Sequence, residues 1–130
     1  MKQKLITLAA VSGAISVILG ALGAHQLKNM LSASSLDAFD KGVRYQMYHS
    51  LLLLFLALSV NNQNLKIVRR ISGFIITGIS LFSFSIYLLS TQSISHLNVT
   101  FLGPVTPIGG LCMIIGWALL ALNANKIYEN

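Results

Sequence analysis

Residues Ile71 to Leu89 read ISGFIITGISLFSFSIYLL, an apolar run without a single Asp, Glu, Lys or Arg. Its length is close to the ~20 residues that a helix needs to cross a hydrocarbon layer of ~30 Å. Three other runs follow the same pattern: Leu5 to Ala24, Met47 to Val60 and Pro107 to Leu122. The second is short unless Tyr45 and Gln46 extend it into the interface. In lipid each segment must satisfy its own backbone polar groups, and the alternating polar positions of a barrel strand are missing. The sequence therefore predicts an all-α integral membrane bundle, one domain over residues 1–130 with four transmembrane helices.

Composition agrees with this. Charged residues make up 9% of the 130 and apolar residues 55%, whereas a soluble domain carries roughly 25% charge. Net charge is +6, but the basic residues flank the apolar runs. That placement fits a lipid bilayer with anionic headgroups as partner, and no nucleic acid is expected. The single Cys112 sits in an apolar run, which rules out an intrachain disulfide framework or zinc knuckle; it reads as a small packing residue.

Lys2, Lys4, Lys66, Arg69, Arg70 and Lys126 fall on the side shared by both termini and the second loop. Lys28, Lys41 and Arg44 fall on the other side, partly offset by Asp37 and Asp40, and the loop Ser90 to Thr106 has no basic residue. This bias predicts a multi-pass cell-membrane protein with both termini cytoplasmic. Met1 to Ala24 also resembles a secretory signal. Its near-spanning length and its stripe of small residues predict that it is retained.

Between the first two runs lies an amphipathic stretch. Ser34 or Ser35 can cap a helix with Asp37 in its first turn. Leu36, Phe39, Val43 and Met47 then share one face, while Asp37 with Lys41 and Asp40 with Arg44 stand four apart, acid first. This reads as an interfacial helix lying on the outer membrane surface; the other reading is a plain extension of the second span.

Helices in lipid approach closely where residues are small. The first span offers Ser12, Ser16, Gly20 and Ala24, with Ala9 and Gly13 beside them. The third offers Gly73, Thr77 and Ser80, the fourth Gly109, Cys112 and Gly116. The second, rich in Leu and Phe, is expected to be more lipid-exposed, leaving the tight contacts to the first, third and fourth. Thr106 and Pro107 read as the cap and first residue of the last helix.

GALGAH at Gly20 to His25, FDKGVRYQMYHSL at Phe39 to Leu51, FSFSIY at Phe82 to Tyr87 and GPVTPIGGLCMIIGW at Gly103 to Trp117 together touch all four runs. With these pieces the chain resembles the small membrane proteins of domain-of-unknown-function family 423, related to human transmembrane protein 256. The resemblance implies a four-helix membrane protein and no particular activity.

Polar groups at membrane depth are functional suspects. His25 ends the first span and His49 begins the second, with Gln26, Arg44, Tyr45, Gln46 and Tyr48 around them. Two histidines at similar depth could ligate a haem iron or a metal, or hydrogen-bond a quinone or lipid headgroup. The plainer reading is that they anchor helices at the interface; no metal or cofactor is expected. Asp37, Asp40 and Glu129, the only acids, lie outside the apolar runs, which argues against proton-coupled export. There is no Ser/His/Asp set and no phosphate loop, so no enzyme is expected. Asp37 and Asp40 read as surface charges, Asn98-Val99-Thr100 as a weak glycosylation sequon, and His96 has no visible partner. The leading expectation is a structural or accessory membrane protein packing with itself, as a homo-oligomer, or with a larger membrane complex. Its alternative is a ligand-binding protein using His25, Arg44, Tyr45, Tyr48 and His49.

Overall fold

The computed structural model describes residues 1–128, all of whose regular structure is helical; Glu129 lies outside them. Four long helices, α1 (Lys2–His25), α2 (Ala33–Ser59), α3 (Leu65–Ser95) and α4 (Val105–Leu122), are followed by a short α5 (Ala124–Tyr128). Chain neighbours pack on one another: α1 on α2, α2 on α3 and α3 on α4. Helices α2 and α3 are therefore central, flanked by α1 and α4.

Leu53, Leu56 and Ala57 from the end of α2 meet Val68, Ile71 and Ile75 from the start of α3, all at 0–1% exposure. Leu52 of α2, Leu5 and Ala9 of α1 and Ile127 of α5 complete this cluster. It lies at the end of the bundle where the amino terminus, the α2–α3 loop and α5 converge. Asn64 joins these parts, its amide nitrogen donating to the carbonyls of Ser59 at 2.8 Å and Ile127 at 3.3 Å. Val17 and Ile18 of α1 and Ile108, Ile114 and Trp117 of α4 face outward and exposed, the kind of apolar surface that marks a membrane or partner contact.

With their adjoining turns, α1 (Lys2–Asn29), α3 (Leu65–Ser95) and α4 (Thr100–Leu122) are long and apolar enough to cross a membrane; α2 is not among them. Its first half carries Asp37, Asp40, Lys41 and Arg44.

Several expectations change. The amphipathic stretch is no separate interfacial element but the first half of α2, which runs unbroken to Ser59. Nothing between Phe39 and Met47 breaks a helix, and the buried Phe39 packs against Tyr87, ring centres 5.1 Å apart, instead of lying on lipid. The cap is Ser32, two or three residues earlier than expected, its hydroxyl accepting from the Ser35 amide at 3.2 Å. Nor is α2 the lipid-exposed helix: it buries Gln46, His49 and Ser50 as well as its leucines, whereas α1 meets α3 only across a groove. Counting small residues missed this, because α2 approaches its neighbours through hydrogen-bonding groups and Gly42. A Cβ at Gly42 would sit 2.9 Å from the Tyr87 ring. Finally α4 begins at Val105, just after Pro104. The Thr106 hydroxyl does not cap it; it lies 2.7 Å from that of Ser85.

Candidate functional site

The polar groups of the bundle gather at mid-height on the inner face of α2. Gln46 is 6% exposed; its amide nitrogen donates to the Ser12 carbonyl at 2.8 Å, and its amide oxygen accepts from the Tyr87 hydroxyl at 2.7 Å. One turn on, the Ser50 hydroxyl lies 2.7 Å from both the Ser12 hydroxyl and the Gln46 carbonyl. One turn back, Ser16 donates to the Val43 carbonyl at 2.8 Å and Ser83 to that of Gly42 at 2.9 Å. These bonds stitch α1 to α2 and α2 to α3 where apolar contact alone gives helices in lipid little reason to associate.

His49 belongs to the same layer. Its Nδ1 donates to the Tyr45 carbonyl at 2.7 Å and its Nε2 accepts from the Trp117 indole at 3.1 Å. The two partners fix the neutral tautomer with the proton on Nδ1 and occupy both nitrogens, so neither has a lone pair free for a metal. His25, by contrast, is exposed at the end of α1. The α1–α2 register pairs Ser12 with Ser50 and Gly23 with Phe39. On this ladder His49 is level with Gly13, so His25 lies twelve residues beyond it, roughly 18 Å along the axis at 1.5 Å per residue. The expectation that the two share a depth is corrected: the up-down hairpin aligns His25 with Asp37 near the start of α2, and His49 lies about three turns further in. Among the described residues Arg44 pairs with Asp40 alone, at 3.9 Å. Tyr45 and Tyr48 are half exposed, Tyr45 packing on Phe82 with ring centres 5.0 Å apart. The five candidate ligand-binding residues thus do not converge on one cavity. Among the described residues no three His, Cys, Asp or Glu side chains cluster.

Of the small residues, Ser12 and Ser16 hydrogen-bond α2 as described. A Cβ at Gly20 would meet Val43 at 3.4 Å, one at Gly109 the Phe82 backbone at 2.4 Å, and one at Gly116 the Ile75 side chain at 2.5 Å. Gly73 meets nothing within 4 Å and faces outward with Thr77 and Ser80. The α3 glycine pressed against α4 is Gly78, whose Cβ would sit 2.6 Å from Met113. Sequence reasoning missed Gly78, Gly42, Tyr87 and Trp117; two glycines inside helices, where each costs about 1 kcal/mol, were the available clue.

A family model described as "Protein of unknown function (DUF423)" matches residues 19–110, a range that contains α2, α3, Gln46 with Tyr87, and the Gly109 contact. The chain belongs to this family. Similar to this DUF423 chain is a UPF0382 membrane protein of Haemophilus influenzae, 41% identical over 97% of each chain. The membrane protein YwdK of Bacillus subtilis is 36% identical over 93% of this chain and 95% of its own length. The inner membrane protein YgdD of Escherichia coli is 36% identical over 95% of this chain and 90% of its own. No solved structure matches. With its apolar helices, the DUF423 chain is an all-α integral membrane protein.

Proposed function

We propose that the chain is a non-catalytic structural or accessory membrane protein that packs with itself or within a larger membrane complex. The observation that carries this reading is a division of labour among its polar and small residues. Inside the bundle the polar side chains of the Gln46 layer bond one another or the backbone, leaving no nucleophile, acid or metal ligand poised for chemistry. Outside, the small face of α3, with Gly73, Thr77 and Ser80, carries no helix of this chain. Small residues are what close helix contacts in lipid require.

In this reading α2 is a fourth crossing. At 27 residues it is about 40 Å long, enough to span and to project its charged first half beyond the hydrocarbon. Its inner half needs little lipid-like character because α1 and α3 cover it. The basic end that holds the amino terminus, the α2–α3 loop and α5 faces the cytoplasm.

Cysteine crosslinking in native membranes tests the proposal. With Cys112→Ser as background, Thr77→Cys is expected to give a crosslinked homodimer or a discrete larger adduct, and Val17→Cys on α1 is not. A chain that stays solitary at both positions argues against it.

A further inference from the structure

A groove runs between α1 and α3 with α2 as its floor. At the terminus-bearing end it forms a cavity of about 300 Å³ lined by Lys4, Leu5, Leu8, Arg69, Ser72 and Ile76. Leu8 and Ile76 also line the next hollow of about 100 Å³, whose Ile79 and Ser80 continue into a third of about 430 Å³. From Ser72 to Phe84 the track is about 18 Å long at 1.5 Å per residue, somewhat more than one leaflet of a ~30 Å hydrocarbon core. Its mouth is cationic and its length apolar. Among the described residues no carboxylate lies within 4 Å of Lys4 or Arg69, the only such pairs being Lys41 with Asp37 and Arg44 with Asp40.

A second, independent feature sits just inside the mouth. Ser72 is 4% exposed, and its hydroxyl is the one buried side-chain polar group among the described residues without a hydrogen-bond partner. Serines elsewhere in these helices, such as Ser80 and Ser90, return their hydroxyl to a carbonyl one turn back. A buried hydroxyl without a hydrogen-bond partner is unfavourable. One residue on, Gly73 leaves open space where a side chain would otherwise narrow the groove.

The geometry points to a bound anionic glycerophospholipid in this groove. Lys4 and Arg69 hold its phosphate, Arg as a planar fork and Lys as a point charge. One turn deeper, Ser72 donates to an ester carbonyl, and one acyl chain lies along Leu8, Ile76 and Ile79. The inner end of the groove borders Ser12, Gln46, Ser83 and Tyr87 of the polar layer, and the groove shares Gly73 and Ser80 with the small face of α3; lipid binding there does not depend on the accessory role proposed above.

Native mass spectrometry of the full chain in detergent micelles tests it, with dioleoylphosphatidylglycerol, dioleoylphosphatidylcholine or inorganic phosphate added. The wild type is expected to retain phosphatidylglycerol in preference to phosphatidylcholine, and phosphate should not displace it. Lys4→Gln with Arg69→Gln is expected to lower that preference about tenfold or more, since each basic group near a lipid surface contributes appreciably. Lys4→Arg with Arg69→Lys retains it, as does Lys41→Gln with Arg44→Gln at the opposite end. Gly73→Leu, whose Cβ meets nothing within 4 Å, blocks retention without lowering thermal stability. Ser72→Ala weakens retention without destabilising the lipid-free chain. Equal retention of both lipids, displacement by phosphate, or an undiminished preference in the double Gln variant would overturn the proposal.

Discussion

Tyr87 donates its hydroxyl proton to the Gln46 amide oxygen at 2.7 Å, while the nitrogen of the same amide donates to the Ser12 carbonyl at 2.8 Å. One side chain of α2 thus ties α3 to α1. Tyr87→Phe and Gln46→Leu should each lower stability by about 1 kcal/mol, interhelical hydrogen bonds in membrane proteins averaging about 0.6. A double-mutant cycle should give a coupling of about 0.5 kcal/mol or more, since the residues touch. Unfolding by a rising fraction of dodecyl sulfate in mixed micelles reads both; strict additivity would contradict the link.

Gly109 lets α4 lie on the α3 backbone, where a Cβ would approach the Phe82 nitrogen to 2.4 Å. Backbone cannot step aside as a side-chain tip can. Gly109→Ala should cost about 1–3 kcal/mol, the usual range for overpacking. Gly73→Ala, with nothing within 4 Å, should be neutral or should stabilise by up to about 1 kcal/mol through helix propensity. Thermal denaturation of the two variants side by side makes the comparison.

Asn64 is 2% exposed and holds the loop that closes the core, its oxygen accepting from the Asn61 amide at 2.9 Å while its nitrogen serves Ser59 and Ile127. Asn64→Leu leaves these backbone groups without that partner and should cost about 1–3 kcal/mol. Limited proteolysis should then cut within α5 sooner than in the wild type.

The Asp37 carboxyl is held below its usual value of 3.8 by the hydrogen bond from Lys41 at 2.6 Å and that residue's charge. A depressed folded value means that the pair's contribution is full above 3.8 and is lost as pH falls through the lower folded value. Both groups are exposed, so the effect is small. Asp37→Asn should match the wild type in strong acid and fall slightly below it at neutral pH; the reverse ordering in acid and neutral melting curves would refute this.

His96 closes α3 in the left-handed conformation, φ 57°, its amide donating to the Gln92 carbonyl at 3.1 Å. Helix ends of this shape favour glycine, and an L side chain pays about 1 kcal/mol there. His96→Gly should raise the melting temperature. The residue that the sequence left unassigned is thus a helix terminator.

Membrane character was legible because it rests on composition and run length, and α1, α3 and α4 follow from them directly. The centre of the bundle was harder to read. Leu and Phe in the second run looked lipid-facing, yet Leu53 and Leu56 are among the most buried residues. Hydropathy does not distinguish a leucine facing lipid from one facing another helix. His25 and His49 seemed companions because both lie near the ends of apolar runs. Once α2 proved to begin at Ala33, the antiparallel register carried His49 inward and left His25 behind. The pairing of Gln46 with Tyr87 spans 41 positions, and no local pattern announces a contact of that separation.

The polar seam along α2 also bears on how the chain enters its membrane. A segment bearing Gln46, His49 and Ser50 is a poor candidate to slip alone from the translocon into lipid. In the four-crossing reading proposed above, Ser12 and Ser16 satisfy that seam from α1, so the first two helices should integrate as a preassembled hairpin. A truncated chain beginning at Ala33 should then be released to the wrong side or degraded, and supplying α1 as a separate peptide should rescue it.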